Sequence, residues 1–165
     1  MNLTQDFRKQ RFKKKSSQSD GDNKSEHYTK WGLQLALEKK YEDAIQKFQM
    51  ATNIDPGYSP AYNSWGNVLF DQGKYNQAIG KFSAAASVDP TNMLAFNNWG
   101  NTLRAQKNYA EASEKYKKAI EIDSEYGLAY YNWATCLYSE ARYEEAIDIY
   151  QKAIDIDANY SNSWN

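Results

Sequence analysis

A nine-residue motif recurs along the chain at a spacing of 34 residues, and this regularity constrains the fold more than any other feature. The motif reads AYNSWGNVL from Ala61, AFNNWGNTL from Ala95 and AYYNWATCL from Ala129, with HYTKWGLQL at the same spacing upstream. Self-similarity at such a period predicts an array of units that each pack on their neighbours. The series in register are Trp31, Trp65, Trp99 and Trp133; Tyr41, Tyr75, Tyr109 and Tyr143; Ala44, Ala78, Ala112 and Ala146; Phe48, Phe82, Tyr116 and Tyr150; and Ala51, Ala85, Ala119 and Ala153.

Each unit has the apolar spacing of two helices joined by a short turn. In the unit 59–92, apolar and small residues recur at the i, i+3, i+4 and i+7 positions of an amphipathic helix, first before Gly73 and then again after it. Glycine commonly ends a helix, and the residue before a proline is disfavoured in one, so Asp89 before Pro90 ends the second helix. The Glu and Lys residues of the second helices predict a solvated outer face.

The unit resembles the tetratricopeptide repeat in its length and in its pattern of glycine, alanine, phenylalanine and proline, although tryptophan stands where the family usually has leucine. The resemblance implies an all-α fold, namely a right-handed α-solenoid of four helix-turn-helix hairpins, and a role in protein interaction. Small residues at Gly66 and Ala78 predict a close approach of the two helices of a hairpin. The repeats are 25–58, 59–92, 93–126 and 127–160; family positions are matched by Gly32, Gly66, Gly100, Pro56 and Pro90, and the departures are Ala134, Ser124 and Ala158.

The composition and the missing motifs argue against catalysis and against metal or cofactor binding. The net charge is −1, and the chain has a single cysteine, Cys136, and a single histidine, His27. Neither a glycine-rich phosphate loop nor metal-ligand spacing occurs. We therefore expect no catalytic residue, no metal, no cofactor and no small-molecule substrate. Nucleic acid is not an expected partner either, because Lys30 and Arg104 are the only cations on the predicted groove.

The first helices of the repeats predict a concave groove that is rich in asparagine. Stacked first helices line the inner face of a solenoid, and at ~100° per residue positions five, six, nine and twelve of each repeat point away from the core or flank it. An asparagine amide offers two donors and two acceptor sites, so rungs of asparagine could bond the backbone of an extended peptide. The predicted groove residues are Asn63, Asn67, Phe70, Asn97, Asn98, Asn101, Arg104, Tyr131, Asn132 and Tyr138.

Two interpretations of these asparagines stay open. Asn98 and Asn132 stand at position six and look like the asparagine ladder of the tetratricopeptide part of O-linked N-acetylglucosamine transferase, which holds peptide backbone. Alternatively, asparagine is simply a common residue at these positions of the family, where it faces solvent and neighbouring first helices. The dicarboxylate clamp of chaperone-binding members does not fit, because the matching frame supplies Asn67 and Asn98 but no cation for charge-assisted bonds.

The two ends of the chain do not complete a repeat. Seven Lys and Arg against three Asp give residues 1–24 a net charge of +4, which leaves −5 on the rest. This composition predicts a disordered basic tail, which serves either as a localisation signal, as a tether to a polyanion or membrane, or as a solvated tail without a role. Residues 161–165 read as the start of a truncated fifth repeat, so repeat four lacks the polar cap that such arrays normally have.

The sequence therefore predicts a protein–protein interaction module, an adaptor that binds an extended peptide or a helix in the asparagine-rich groove. The alternative is the truncated recognition arm of a larger enzyme or secretion or assembly factor that contains such repeats. Self-association through the uncapped C-terminal edge is a further option. No run approaches the ~20 apolar residues that span a bilayer, and no secretory signal precedes the array, so we expect a cytoplasmic protein.

Overall fold

The computed structural model describes residues 24–162, and these residues lie in helices or in the short turns between them. Consecutive helices pair into four hairpins, one for each predicted repeat, so the all-α prediction is confirmed. The helices are α1 (24–37), α2 (Tyr41–Ile54), α3 (Ser59–Asp71), α4 (Tyr75–Val88), α5 (Met93–Ala105), α6 (Tyr109–Ile122), α7 (Gly127–Ser139) and α8 (Tyr143–Asn162).

In each of the first three hairpins, a glycine of the first helix packs against an aromatic ring of the second helix. A Cβ atom built on Gly66 would lie 2.5 Å from the ring of Phe82, and one built on Gly100 would lie 2.6 Å from the ring of Tyr116. Packed atoms do not approach so closely, because protein interiors are already at close-packed density. The close approach predicted at Gly66 is therefore confirmed, and the aromatic ring occupies the space that a side chain would need.

The turns between repeats depend on an aspartate that binds the backbone two residues later. The side chains of Asp55, Asp89 and Asp123 each accept a backbone N–H bond of 2.9–3.0 Å in this way. Such local bonds compete with helix formation and favour a turn. At the equivalent position of the fourth repeat, Asp157 lies inside α8, which continues to Asn162. The helix α8 thus continues through the position at which the earlier second helices have ended.

Three tryptophans of the 34-residue series, namely Trp65, Trp99 and Trp133, connect successive hairpins. Trp99 packs both on the cluster around Leu69 and Phe82 and on the cluster around Leu103 and Tyr116. Trp31 in the first repeat has no such position and is 46% exposed. The position of the other three between two hairpins makes the array a chain of nearest-neighbour contacts, in which each interface stabilises two repeats.

Lysines of the second helices cover these tryptophans. The ammonium of Lys81 lies 3.4 Å from the ring centroid of Trp65, and that of Lys115 lies 4.0 Å from the ring centroid of Trp99. The prediction of a merely solvated outer face is incomplete for these lysines, because their stems reach back over an aromatic ring. Burial lowers the pKa of Lys81 from its usual value.

The predicted basic tail lies outside the described residues, except for Lys24 at the start of α1. The last three residues, 163–165, lie outside them as well. Between 24 and 162, no helix is both long enough and apolar enough to cross a membrane.

Candidate functional site

One exposed rung of asparagines connects α3 to α5. Asn98 donates from Nδ2 to Oδ1 of Asn63 at 3.2 Å and to Oδ1 of Asn67 at 3.1 Å. Asn67 is exposed, and the other two side chains are half-buried. An amide has more donor and acceptor sites than these bonds use, so Asn98 retains Oδ1 as an acceptor and Asn67 retains its Nδ2 donors. This rung is both tied to the fold and able to bond a ligand.

A second rung is buried. Asn132 donates from Nδ2 to Oδ1 of Asn97 at 3.0 Å, and only 2% of Asn97 and 6% of Asn132 are exposed. These two residues lie between α5 and α7, where the bond ties the first helices of two repeats together. Their placement departs from the predicted groove surface and matches the alternative in which asparagines face neighbouring first helices.

A tyrosine of the second helix orients Asn101. The hydroxyl of Tyr116 donates to Oδ1 of Asn101 at 2.9 Å, and the same pair of positions in repeat four is occupied by Tyr150 and Thr135, whose oxygens are 3.1 Å apart. Burial raises the pKa of Tyr116 well above its usual value, so the hydroxyl stays protonated and remains a donor. The change from phenylalanine to tyrosine in this series was the sequence signal for these bonds.

The half-buried cation Arg104 faces the exposed rung of Asn67 and Asn98 across a cavity of about 270 Å³. Its Nε atom is buried without a hydrogen-bond partner, and among residues 24–162 no carboxylate forms a salt bridge with it. A buried donor without a partner is costly and is normally satisfied. The cavity is lined by Asn67, Phe70, Phe82, Asn98, Asn101 and Arg104.

The two predicted tyrosines lie elsewhere. Tyr131 is 54% exposed and its ring centroid is 5.5 Å from that of Tyr150, and Tyr138 is 60% exposed and packs near Tyr143. Both stand on α7 in the last repeat. The structure therefore brings six of the ten predicted residues together, buries two between helices and leaves two at the end of the array. The six are Asn63, Asn67, Phe70, Asn98, Asn101 and Arg104.

Neither a metal-binding cluster nor an exposed cysteine occurs among the described residues. Within 24–162, no group of three or more His, Cys, Asp or Glu side chains could hold a metal ion. Cys136 is fully buried, and burial raises the pKa of its thiol to about 11. Since the thiolate is the reactive form, this thiol is a poor nucleophile near neutral pH.

Sequence comparison identifies the repeat. A family model described as "Tetratricopeptide repeat" matches residues 91–159, and one described as "TPR repeat" matches residues 66–103, so that together they cover more than half of the chain. No curated protein sequence matches the chain.

Solved structures with the same fold include a crystal structure of MamA, with 21% identity, a TM-score of 0.77 and 98% of each chain covered. MamA 41-end from Desulfovibrio magneticus RS-1 has 19% identity and a TM-score of 0.72 over 83% of this chain and 77% of that one. The first TPR of Spaghetti (RPAP3), bound to the HSP90 peptide SRMEEVD, has 18% identity and a TM-score of 0.68 over 73% of this chain and 95% of that one. At these identities the likeness shows the fold alone.

Proposed function

Because the chain belongs to the tetratricopeptide-repeat family, we propose that it is an interaction module that holds an extended segment of a partner protein against α3 and α5. The observation that carries this proposal is the cavity of about 270 Å³ at which asparagine amides converge with a guanidinium whose buried Nε has no hydrogen-bond partner. A related fold has been solved with a bound peptide, the HSP90 peptide SRMEEVD, which supports a peptide as the class of ligand.

The exposed rung supplies the backbone contacts. A peptide bond presents one N–H donor and one C=O acceptor, and these complement Oδ1 of Asn98 and Nδ2 of Asn67. The existing bonds between Asn98 and the two α3 asparagines hold the amides in place before the ligand arrives. A preorganised site loses less side-chain entropy on binding, so more of the contact energy appears as affinity.

The rest of the cavity sets which side chains fit. Phe70 offers an apolar surface, and Arg104 offers a cation without a carboxylate partner among residues 24–162. A guanidinium forms short, strong bonds with a carboxylate. The partner segment therefore carries an Asp or Glu side chain that reaches Arg104, beside a residue that rests on Phe70. This differs from a clamp on a C-terminal carboxylate, for which the groove lacks the cations.

Peptide-display selection on the full chain tests this function without a known partner. The wild type should enrich sequences with Asp or Glu at one fixed position, and Arg104→Lys should keep that preference. Arg104→Gln should lose the preference, because it removes the charge but keeps a polar side chain. The matched control is Gln46→Ala with Gln77→Ala, which removes two exposed amides from second helices and should leave the selection unchanged. The same acidic preference in Arg104→Gln would refute the assignment.

A further inference from the structure

In the last repeat, apolar side chains are exposed at positions whose counterparts in an earlier repeat are covered. Ile147 is 66% exposed, whereas its counterpart Ile79 packs against the cluster of the next repeat. Ile154 is 59% exposed, whereas its counterpart Ala86 is only 8% exposed. In the described structure nothing follows α8 to cover these residues. With Tyr131, they form an apolar surface that we call the C-terminal edge.

The C-terminal edge is indented and acidic. A groove of about 410 Å³ lies between α7 and α8, and Leu128, Tyr131 and Ile154 are among the residues that line it. The helix α8 carries five Asp and Glu residues against one lysine over its 20 residues, a net charge of −4. Over the 14 residues equivalent to α6 its net charge is −3, whereas α6 carries three residues of each sign and has a net charge of 0. An occupant of this groove should combine apolar side chains with positive charge.

One segment of the chain has this composition. Residues 3–15 contain Leu3, Phe7 and Phe12 together with six Lys or Arg and one Asp, which is a net charge of +5. No stretch of 13 residues between 24 and 162 has a net charge above +2, so none matches this excess of cations. The segment complements the C-terminal edge in both charge and apolar character.

The opposite face of the array does not fit the C-terminal edge. Where repeat two has the buried residues Ala61, Ser64 and Val68, α1 has His27, Lys30 and Gln34. Stacking α1 of another molecule on the edge would bury these polar groups without prepared partners. Pairing two edges would bring two helices of charge −4 together, which like-charge repulsion opposes.

We propose that residues 3–15 of one molecule dock on the C-terminal edge of a second copy. The helices α3 and α5 separate α1 from α7, and helix axes pack about 8–10 Å apart, so the edge lies at least about 25 Å from α1. Eight residues, 16–23, separate the segment from α1, and a stretch of that length spans at most about 26–29 Å, so the chain's own segment would reach the edge only at full extension. Residues 3–15 of a neighbouring molecule are not restricted by the length of this connection. The contact is head-to-tail and extends from molecule to molecule.

A complementation experiment with the full chain tests the proposal. The donor variant, Ile147→Gln with Ile154→Gln, keeps the tail and disables the edge. The acceptor variant, Arg11→Glu with Lys13→Glu and Lys14→Glu, keeps the C-terminal edge and reverses the charge of three residues of the tail. By sedimentation velocity, the wild type should form larger species as its concentration rises. Each variant alone should stay monomeric, and an equimolar mixture should form dimers that do not grow further.

Three results would overturn the proposal. If the wild type stayed monomeric at all concentrations, the proposed contact between copies would not exist. Self-association of the acceptor variant alone would mean that two edges pair, and a mixture that stays monomeric would mean that no tail is exchanged between copies. The matched control Met50→Gln with Leu94→Gln replaces exposed apolar residues elsewhere and should behave as wild type. Raising NaCl from about 50 to about 500 mM should weaken wild-type association about tenfold, because salt screens exposed charges.

Discussion

Asn132 donates a 3.0 Å hydrogen bond from Nδ2 to Oδ1 of Asn97, and the two side chains are almost completely buried between α5 and α7. One residue further along α5, Asn98 makes the same kind of bond at the surface, to α3. Asn97 and Asn98 are adjacent in the sequence but therefore lie in different environments. The buried pair fixes the spacing of the first helices, and the exposed rung has amide sites left for a ligand.

The buried pair should matter for stability. Asn132→Ala would leave Oδ1 of Asn97 without its donor in a buried place, so we expect a loss of about 1–3 kcal/mol in the free energy of unfolding. The exposed Asn53→Ala should change it by no more than about 0.5 kcal/mol. Urea denaturation followed by circular dichroism measures both. Equal effects of the two substitutions would show that the Asn132–Asn97 bond contributes nothing.

Two glycines should respond to alanine in opposite ways. Gly66→Ala would force a Cβ to within 2.5 Å of Phe82, and overpacking of this kind typically costs about 1–3 kcal/mol. Gly80→Ala, in the middle of α4 with no atom near its added Cβ, should instead stabilise by about 0.5–1 kcal/mol, because alanine loses less backbone entropy in a helix. Thermal unfolding should shift the melting temperature down for the first and up for the second. A rise for both would contradict the close contact at Gly66.

The contact between Gly66 and Phe82 was predictable because it lies within one repeat. The spacing of small and large residues along two helices determines which residues meet inside a hairpin. The difference between Asn97 and Asn98 was not predictable in the same way. A helical wheel locates the core of its own hairpin, but it does not locate the first helix of the next repeat, which is what buries Asn97.

The stacking of Lys81 on Trp65 was missed for another reason. Periodicity treats a lysine as polar and assigns it to the solvent, whereas four methylene groups allow its ammonium to reach an aromatic face. The cavity at Arg104 was predicted in part. Position twelve placed this residue on the groove, but the absence of an acidic partner among residues 24–162 is a property of the packed array.

The stacked lysine should contribute through its charge. Lys81→Met keeps most of the aliphatic stem and removes the cation over Trp65, so we expect a loss of about 0.5–2 kcal/mol in the free energy of unfolding. Lys118 is exposed and pairs with an exposed glutamate, Glu121. Lys118→Met should therefore cost less than about 1 kcal/mol. Chemical denaturation of both variants provides the comparison, and a neutral Lys81→Met would refute a stabilising cation–π contact.

The buried thiol should make stability depend on pH. The pKa of Cys136 is raised from 9.0 to about 11 in the folded chain. The unfolded chain therefore loses this proton first, so the stabilisation is complete below pH 9 and is lost as the pH rises towards 11. The difference in unfolding free energy between wild type and Cys136→Ala should shrink over this window. A difference that stays constant from pH 8 to pH 11 would contradict the burial of the thiol.

The proposal that Arg104 and the exposed asparagines bind an acidic peptide segment predicts a direct coupling between the guanidinium and a peptide carboxylate. Its most direct test is the affinity, by titration calorimetry, of a selected acidic peptide and of the same peptide with its Asp or Glu replaced by the amide, each against wild type and Arg104→Gln. If the carboxylate meets the guanidinium, the four affinities should give a coupling energy of about 1.5–3 kcal/mol, as for hydrogen bonds to charged groups. A coupling energy near zero, with both substitutions acting independently, would contradict the account.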